Sequence, residues 1–442
     1  MELRCITSNN QKVLNEARYT FYQDTKNTEF QLLCVFPQFK YQEILGFGGA
    51  ITEACAATLN KMPESVRQEI IQLYFGKEGN QYNICRTHIN SCDFALSNYC
   101  YIEDGDTSLE TFSIERDKKT ILPYIKTAKD VSGGRLIVMA SPWSPPGFMK
   151  TTGTMNHGGQ LLPQYYQLWA DYLVKVIKCF KDEGVEVSLL SVQNEPNAVQ
   201  RWDSCTYTAE QERDFIKNYL GPALKRSGLS EIKLLVWDHN KERCFERADT
   251  ILSDSEAASF VSGVAVHWYT GDHFEQLSLI KERYPDALLV FSEGCLEHGV
   301  KQDQVMAAEK YAHDIIGNLA HGLAAFIDWN IVLNENGGPN HAENFCDAPV
   351  ICNTKEGTYE VKLPYYYLGH FSRFIPRGSR RIAVSSYTDK LEVVGFETPE
   401  AERVLVVLNR TDASVPYIIR ENGMLCEIMI EPHSIQSAIY KI

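Results

Sequence analysis

The stretch VSLLSVQNEP, residues 187–196, is an apolar run that stops at two amides, a carboxylate and a proline. Apolar runs without polar alternation are typical of strands that are covered on both faces. The other runs of this kind are GFGGAITE (46–53), NICRTHIN (83–90), RLIVMASP (135–142), IKLLVWDH (232–239), GVAVHWY (263–269), ALLVFSEG (287–294) and AAFIDWNIV (324–332). Longer stretches with apolar residues at every third or fourth position, the helix period, separate them. These eight alternations predict an α/β fold, a closed (β/α)8 TIM barrel.

Both ends of the sequence depart from this alternation. KLEVVGFET (390–398), RVLVVLNRT (403–411), VPYIIREN (415–422) and SIQSAIYKI (434–442) predict consecutive strands separated by turn residues. The first 40 residues are also strand-rich, as in FQLLCVFPQFK (30–40). Because open strand edges are a liability, we expect residues 1–42 and 378–442 to join in one β-sandwich domain beside a barrel of residues 43–377. Two unrelated tails are the alternative.

Composition limits the classes of partner. The formal net charge of −14 disfavours nucleic acid and anionic membrane surfaces, whereas an uncharged substrate suits it. Neither an apolar signal-peptide core near the start nor a run long enough to span a bilayer is present, so we predict a cytoplasmic protein without stable membrane insertion. The 13 cysteines include no CxxC and no zinc-type spacing, which indicates reduced thiols and no metal site. The sequence is compatible with a homo-oligomer.

Two carboxylates stand at the ends of predicted barrel strands. Glu195 ends the fourth run and Glu293 the seventh, and the active site of a TIM barrel lies at this end of its strands. Glycoside hydrolysis needs such a pair: one carboxylate attacks the anomeric carbon, and the other protonates the leaving oxygen and then deprotonates water. In a retaining enzyme the two carboxyl groups lie about 5–5.5 Å apart. The alternative for each is an idle carboxylate in a salt bridge.

Aromatic residues end several of the same runs. Trp143, Trp268, Tyr269 and Trp329 lie where strands finish, and aromatic faces stack on the apolar faces of sugar rings. A purely structural role, in which these rings cap the barrel core, is the alternative. Their recurrence at one rim favours a carbohydrate site.

Polar residues near these strand ends complete the predicted site. Asp93, Asn330 and Asn344 are candidates to bind sugar hydroxyls, and Asn194 to bind the sugar 2-hydroxyl. Three further residues are candidates for supporting roles. Arg86 would orient Glu195 or Glu293 and lower the pKa of whichever must stay ionised, Tyr269 would donate to the nucleophile, and His267 would either contact the site or sit in the core. The Gly46–Gly49 segment lacks phosphate-loop spacing and predicts a close backbone approach.

Several long motifs match one family. GFGGAITEA, NICRTHINSCDF, ASPWSPPGFMKT, QNEP, GVAVHWY, FSEGC, DWNIVLNENGGPNHAENFCDAPVI and YYYLGHFSRFIPRGSRRI resemble glycoside hydrolase family 30, and within it the lysosomal glucosylceramidase branch. The resemblance implies a (β/α)8 barrel with a β-sandwich built from both chain ends, hydrolysis of β-glycosides with retention, and no metal or organic cofactor. It implies that Glu195 is the acid/base and Glu293 the nucleophile. The residues that it places around the sugar are Asp93, Trp143, Asn194, Trp329 and Asn344, with Tyr269 beside the nucleophile.

One segment departs from that branch. NAVQRWDSCTYT (197–208) differs from the lysosomal pattern, so Trp202 becomes a candidate leaving-group platform, and ceramide is not the expected aglycone. We therefore expect a microbial, intracellular exo-β-glycosidase that acts on terminal β-linked glucose in a small glycoside. The alternatives are an exo-β-xylosidase or β-fucosidase, an endo-β-glycanase such as a β-1,6-glucanase, and a non-catalytic carbohydrate-binding protein. Loops around Trp202 and 335–346 would separate exo from endo action.

Overall fold

The eight apolar runs form eight parallel strands that close into a barrel, as the sequence predicts. This computed structural model describes residues 1–297 and 303–441. Consecutive strands pair around the barrel, and the last pairs with the first. Numbered along the chain, the barrel strands are β5 (Gly46–Ala50), β6 (Ile84–Ile89), β7 (Ile137–Pro142), β8 (Val187–Ser191), β9 (Lys233–Asn240), β10 (Val261–His267), β11 (Leu288–Glu293) and β12 (Ala325–Asn330).

Glycines allow neighbouring barrel strands to approach closely. A Cβ atom on Gly48 would lie 1.7 Å from the carbonyl oxygen of Ile84, and one on Gly263 would lie 1.9 Å from that of Leu288. No side chain fits at either position, because the atom in the way belongs to the backbone of the adjacent strand. The glycine-rich start of β5 is therefore a barrel-packing feature, in agreement with the sequence prediction.

The half of the barrel interior that is farther from the carboxyl ends of the strands is a packed apolar core. Every strand except β5 contributes to it, and alternation along each strand turns these side chains inward. The cluster comprises Ile84, Ile137, Met139, Leu189, Leu235, Ala265, Val290, Ala325 and Ile327. Polar side chains replace apolar ones only towards the carboxyl ends of the strands, which places the chemistry at that end.

Helices cover the outside of the barrel. The longest show the predicted period: α5 buries Trp169, Leu173, Val176, Ile177 and Phe180 on one face. No helix within the described ranges combines the length and the apolar character needed to cross a bilayer. The helices are α1 (Glu53–Asn60), α2 (Glu64–Phe75), α3 (Glu115–Lys119), α4 (Ile121–Val131), α5 (Tyr166–Asp182), α6 (Ala209–Phe215), α7 (Gly221–Arg226), α8 (Cys244–Leu252), α9 (Ser255–Ala258), α10 (Phe274–Arg283), α11 (Gln304–Ala320) and α12 (Leu363–Ser372).

Both chain ends join in one sandwich, which confirms that prediction over the alternative of separate tails. The ten strands are β1 (Glu2–Ser8), β2 (Asn15–Thr20), β3 (Tyr22–Gln23), β4 (Leu32–Glu43), β16 (Arg380–Ser386), β17 (Leu391–Glu397), β18 (Arg403–Asn409), β19 (Val415–Glu421), β20 (Met424–Ile430) and β21 (Ser434–Tyr440). They pair in the order β2-β1-β21-β18-β17-β16-β4-β19-β20-β3. Strand β1 lies against β21, with Leu3 opposite Tyr440.

The sandwich is attached to the barrel through alternating residues of its strands. In β18, Leu405 and Val407 belong to the sandwich interior, whereas Val404 and Val406 belong to the core shared with the barrel. Strand β17 contacts α11, and strand β21 contacts α12. Because both faces of β18 are buried, its sequence is a continuous apolar run. A third sheet consists of β13 (Val332–Asn334), β14 (Val350–Asn353) and β15 (Thr358–Val361).

Candidate active site

A cavity of 510 Å³ opens at the carboxyl ends of the barrel strands. It brings together nine of the residues that the sequence predicts for the site. They are Asp93, Trp143, Asn194, Glu195, Trp202, Tyr269, Glu293, Trp329 and Asn344. The predicted supporting residues Arg86 and His267 are fully buried beneath the cavity and contact the side chains of Glu293 and Glu195, respectively.

A larger cavity of 690 Å³ lies at the opposite end of the barrel, next to β4. Its lining includes the cations of Lys40, Lys233, Lys281, Arg380 and Arg381 and the carboxylates of Glu43, Glu282 and Asp286, and Glu43 lies 3.1 Å from Arg380. TIM-barrel enzymes place their chemistry at the carboxyl ends of the strands. The 510 Å³ cavity is therefore the candidate active site.

Glu195 lies in a turn beyond its strand rather than on it. Strand β8 ends at Ser191, so the sequence prediction that Glu195 stands at the end of this strand is wrong by four residues. Gln193 lies beyond the end of β8, and its side chain donates to the carbonyl oxygen of Trp143 (2.7 Å). Glu195 has a left-handed backbone, with φ of 47°, and its N–H donates to the carbonyl oxygen of Asp238 (2.9 Å). This uncommon conformation aims the carboxylate back into the barrel.

Glu293 is the last residue of β11 and is held by two donors. Arg86 donates from Nη1 to Glu293 Oε2 (2.6 Å), and the Tyr269 hydroxyl donates to Oε1 (2.9 Å). The strand register shifts between Val266 and His267, beside Glu293, which turns this carboxylate into the cavity. A charge-assisted bond from an arginine is shorter and stronger than a hydrogen bond between neutral groups. Arg86 thus orients Glu293, and it does not contact Glu195.

Arg86 also fixes neighbouring acceptors. Its Nη2 donates to Asn194 Oδ1 (2.7 Å) and to Asp238 Oδ2 (2.8 Å), and its Nε donates to Ser141 (3.1 Å). The guanidinium lies 4.8 Å from the Trp143 ring centre. A fully buried arginine is stable here because carboxylates and hydroxyl or amide oxygens accept its donors. The result is one rigid network beneath the cavity.

The surroundings of Glu195 are imidazoles. His267 Nδ1 lies 3.2 Å from Glu195 Oε1, and His239 Nδ1 lies 3.5 Å from the same oxygen. Burial raises the pKa of Glu195, but the two imidazoles outweigh it and hold this pKa below its usual value. Burial lowers the pKa of His267, but Glu293, Asp238 and Glu195 together raise it to about 9. In the free enzyme, the proton shared by Glu195 and His267 therefore resides on His267.

Sequence reasoning missed two residues at the end of β9. Asp238 accepts from Arg86 and from His267 Nε2 (3.1 Å), and His239 lines the cavity beside Glu195. Burial raises the pKa of Asp238, but the charge of Arg86 and the His267 bond lower it well below its usual value. The signal was present: Asp238 and His239 end the run IKLLVWDH, just as Glu195 and Glu293 end theirs.

Two tryptophans form an apolar wall. Trp143 and Trp329 are stacked, with ring centres 5.4 Å apart and an interplanar angle of 27°. Both line the cavity and are almost fully buried. Trp202, from the segment that departs from the lysosomal pattern, is half-buried and lines the same cavity. The site therefore has a buried aromatic wall and a more exposed aromatic residue.

Two other predicted sugar contacts do not line the cavity. Trp268 packs against Tyr311 on the outer side of the strands, with ring centres 4.8 Å apart, and Asn330 accepts a hydrogen bond from Thr52. Side chains alternate along a strand. His267 and Trp329 point inward, so their neighbours Trp268 and Asn330 point outward.

Asp93 and Asn344 form a polar pair in the cavity. Asn344 Nδ2 donates to Asp93 Oδ2 (2.9 Å). Burial raises the pKa of Asp93 to about 7, although the Asn344 bond opposes the shift. Asn344 comes from the loop between β13 and β14, which brings it to Asp93, 251 residues away in sequence. The pair offers acceptors and a donor to sugar hydroxyls.

One group of side chains in the described ranges could hold a metal ion. Glu195, His239 and His267 present ligand atoms that lie within 4.8 Å of one another. Two imidazoles and a carboxylate are a ligand set that zinc uses in catalytic sites. A metal here would occupy the Glu195 oxygen that general acid catalysis requires. The sequence expectation of no metal site stays a prediction.

Comparisons with known proteins cover nearly the whole chain. Residues 44–375 match the family model described as "Glycosyl hydrolase family 30 TIM-barrel domain". Residues 378–438 match that described as "Glycosyl hydrolase family 30 beta sandwich domain". The lysosomal acid glucosylceramidase of Mus musculus is 35% identical over 430 residues, which span 93% of this chain and 83% of the relative.

Two solved structures match the whole chain and are covered completely in turn. SrfJ from Salmonella typhimurium superimposes with a TM-score of 0.97 at 36% sequence identity. The endo-β1,6-glucanase BT3312 superimposes with a TM-score of 0.91 at 26% identity. The similarity thus includes proteins whose names refer to different β-glycosides.

Proposed function

The chain belongs to glycosyl hydrolase family 30 and is a glycoside hydrolase with glucosylceramidase-like relatives, and from this premise we propose that it removes terminal β-linked glucose from small glycosides with retention of configuration. The observation that carries the proposal is the convergence of Glu195 and Glu293 on one cavity, each in a different electrostatic setting. Double displacement needs one carboxylate that stays ionised and one that exchanges a proton.

Glu293 is the nucleophile of this proposal. Its carboxylate attacks the anomeric carbon while the bond to the leaving oxygen breaks, and a covalent glycosyl-enzyme forms. Arg86 and Tyr269 bind both carboxylate oxygens and orient the group before attack. Because Asn194 Oδ1 is bound by Arg86, the amide nitrogen of Asn194 is free to face the sugar 2-hydroxyl.

Glu195 is the acid/base. It protonates the leaving oxygen in the first step and removes a proton from the attacking water in the second. The proton rests on His267 in the free enzyme, and a bound substrate that excludes water disfavours the ion pair of His267 and Glu195. Transfer of the proton from His267 Nδ1 to Glu195 then prepares the acid, and Asp238 retains its bond to His267 Nε2.

Exo action is supported by the difference between the two ends of the cavity. Asp93, Trp143 and Trp329 are at most 5% exposed, so the sugar that stacks on the two tryptophans reaches a buried end. Tyr269 is 43% exposed and Trp202 half-buried, and both lie towards solvent. A buried end accommodates one terminal sugar, whereas an endo-acting enzyme needs a cleft that is open at both ends.

The test combines an aryl glycoside with a glucan of defined length. We expect p-nitrophenyl β-glucoside to be cleaved with the β-anomer of glucose as the first product in proton NMR. A β-1,6-linked glucohexaose should then lose one glucose at a time. Initial release of the α-anomer would refute retention. The β-xyloside and β-fucoside belong in the same series, because a pocket discriminates weakly against a group that it does not hydrogen-bond.

Endo-β-1,6-glucanase action is the second candidate, supported by the 26% identity to BT3312 across the whole chain. It predicts early formation of di- to tetrasaccharides from the glucohexaose and weak cleavage of the aryl glucoside. Glucosylceramide in detergent is the third substrate to compare. We expect it to be cleaved more slowly than the aryl glucoside, because the segment 197–208 departs from the lysosomal pattern.

A further inference from the structure

Two cysteines meet on the wall of the active-site cavity. Cys295 Sγ and Cys346 Sγ are 3.3 Å apart, and both residues line the cavity. Their segments run side by side: Glu297 and Cys346 form an isolated β-bridge, and the Asp347 N–H donates to the Leu296 carbonyl oxygen (2.7 Å). The backbone therefore holds the two sulfurs close together, and the cavity gives solutes access to them.

The thiol pair is connected to the catalytic carboxylate. The Tyr269 hydroxyl lies 2.9 Å from Glu293 Oε1 and 3.4 Å from Cys295 Sγ. On the other side, Cys346 lies two residues from Asn344, which donates to Asp93. A change in the sulfur positions therefore affects Tyr269, which donates to Glu293, and the loop that carries Asn344.

We propose that Cys295 and Cys346 are an oxidation site, at which a hydroperoxide joins the two sulfurs in a disulfide and thereby lowers glycosidase activity reversibly. The site does not depend on which β-glycoside is the substrate. Cys295, which is half-buried and faces the cavity, reacts first, and the more buried Cys346 resolves the product.

The chemistry balances with the peroxide as the only oxidant. The Cys295 thiolate attacks one peroxide oxygen, the O–O bond breaks, and a sulfenic acid and water form. The Cys346 thiol then attacks the sulfenyl sulfur, the S–O bond breaks, and the hydroxyl leaves as a second water with the thiol proton. Two thiols lose two electrons, and hydrogen peroxide gains them.

Disulfide geometry explains the loss of activity. The S–S bond is about 2.0 Å, so the sulfurs must approach by roughly 1.3 Å and reorient. Cys295 Sγ then moves off the Tyr269 hydroxyl, which loses one of its two contacts and orients Glu293 less well. Its hydrogen bond with Cys346 and burial raise the pKa of Cys295, so oxidation should be slow near neutral pH and faster as the pH rises.

The experiment treats the purified, reduced enzyme with hydrogen peroxide and follows mass and activity separately. Trypsin with Asp-N digestion separates Cys346 from Cys352, because Asp347 lies between them. We expect a linked pair of peptides that contain Cys295 and Cys346, with a mass 2 Da below the summed masses of the two reduced peptides. We also expect kcat to fall by about tenfold or more. Dithiothreitol should reverse both changes.

Two variants control the experiment. Cys346→Ser, or Cys346→Ala if the serine variant is unstable, should retain the basal activity, form no linked peptide and resist reversible inactivation. Cys179→Ser removes a half-buried thiol on α5 and should behave like the wild type. The proposal fails if no linked peptide forms, if the disulfide leaves kcat unchanged, or if the Cys346 variants are inactivated equally. The peptide result stands even if the proposed substrate is wrong.

Discussion

Glu293 and Glu195 line one cavity, but their surroundings differ in kind. Glu293 ends a strand and binds the permanently charged Arg86 and the hydroxyl of Tyr269. Glu195 lies in a turn with a left-handed backbone, and its neighbours are the imidazoles of His239 and His267. A fixed cation stabilises one protonation state, whereas an imidazole can pass a proton on.

This difference would separate the two proposed chemical roles without any difference in residue type. The carboxylate beside arginine is held in one orientation, which suits the proposed nucleophilic attack. The carboxylate beside His267 forms a coupled pair, so its titration belongs to the pair rather than to Glu195 alone. Substitutions in each of the two surroundings test whether this contrast is functional.

Removal of the Glu293 carboxylate, which Arg86 binds, should have the largest effect on activity. Glu293→Gln should lower kcat on p-nitrophenyl β-glucoside by about 10⁴-fold or more, because no covalent intermediate can form. Arg86 retains Asp238 as a charged partner, so the fold should persist, as thermal unfolding would show. The matched control is Glu297→Gln, an exposed residue on the same cavity, which should remain close to wild type. Substantial activity in Glu293→Gln would remove the assignment.

Removal of the Glu195 carboxylate, the proposed acid/base, should have an effect that depends on the leaving group. Glu195→Ala should lower kcat/KM by about 10²–10⁴-fold on alkyl glucosides, which need protonation. The loss should be much smaller on dinitrophenyl β-glucoside, whose leaving group needs none. Azide should restore turnover of the activated substrate and yield a β-glycosyl azide. An equal loss on both substrates would show that Glu195 is not the acid.

His267→Gln should change how stability depends on pH. The folded pKa of His267, about 9, lies above its unfolded value of about 6.5. Its contribution to stability is therefore fully present below pH 6.5 and is lost as the pH rises through 9, by about 3 kcal/mol. Urea unfolding of wild type and variant at pH 6 and pH 9.5 measures this. If the free energy of unfolding falls equally in both proteins between pH 6 and pH 9.5, His267 is not charged in the folded protein.

Asp93→Asn should give the smallest effect. With a pKa of about 7, Asp93 is neutral below this pH and ionised above it. An ionised acceptor binds a sugar hydroxyl more strongly, so glucose inhibition should tighten by roughly fivefold as the pH rises through 7. The variant should show no such pH dependence. A wild-type inhibition constant that is flat from pH 5.5 to 8.5 would place the sugar away from Asp93.

The sequence predicted the barrel because its strands are buried on both faces and give continuous apolar runs. Glu195 and Glu293 followed from one rule, that polar residues at strand ends face the active site. The same rule applied to IKLLVWDH would have found Asp238, which binds both Arg86 and His267. Within the tails, β16 and β20 were missed, because exposed residues interrupt their apolar pattern.

Side-chain direction was harder to predict. Trp268 and Trp329 both lie near strand ends, but only Trp329 points into the cavity. A shift of one residue in strand register reverses which face a side chain occupies, and sequence does not fix the register around a closed barrel. Asn344 was predicted to contact the sugar, but its hydrogen bond with Asp93 was not predicted, because it depends on how the loop between β13 and β14 folds.

The pairing of β1 with β21 has a consequence for protein synthesis. Leu3 is synthesised 437 residues before its partner Tyr440. At about 5–20 residues per second, the first strand remains without that neighbour for roughly 20–90 s. The barrel can assemble during this interval, but the half-built sheet exposes hydrogen-bonding groups to other nascent chains. Chaperone demand in the cell should therefore centre on the strands at the two ends rather than on the catalytic barrel.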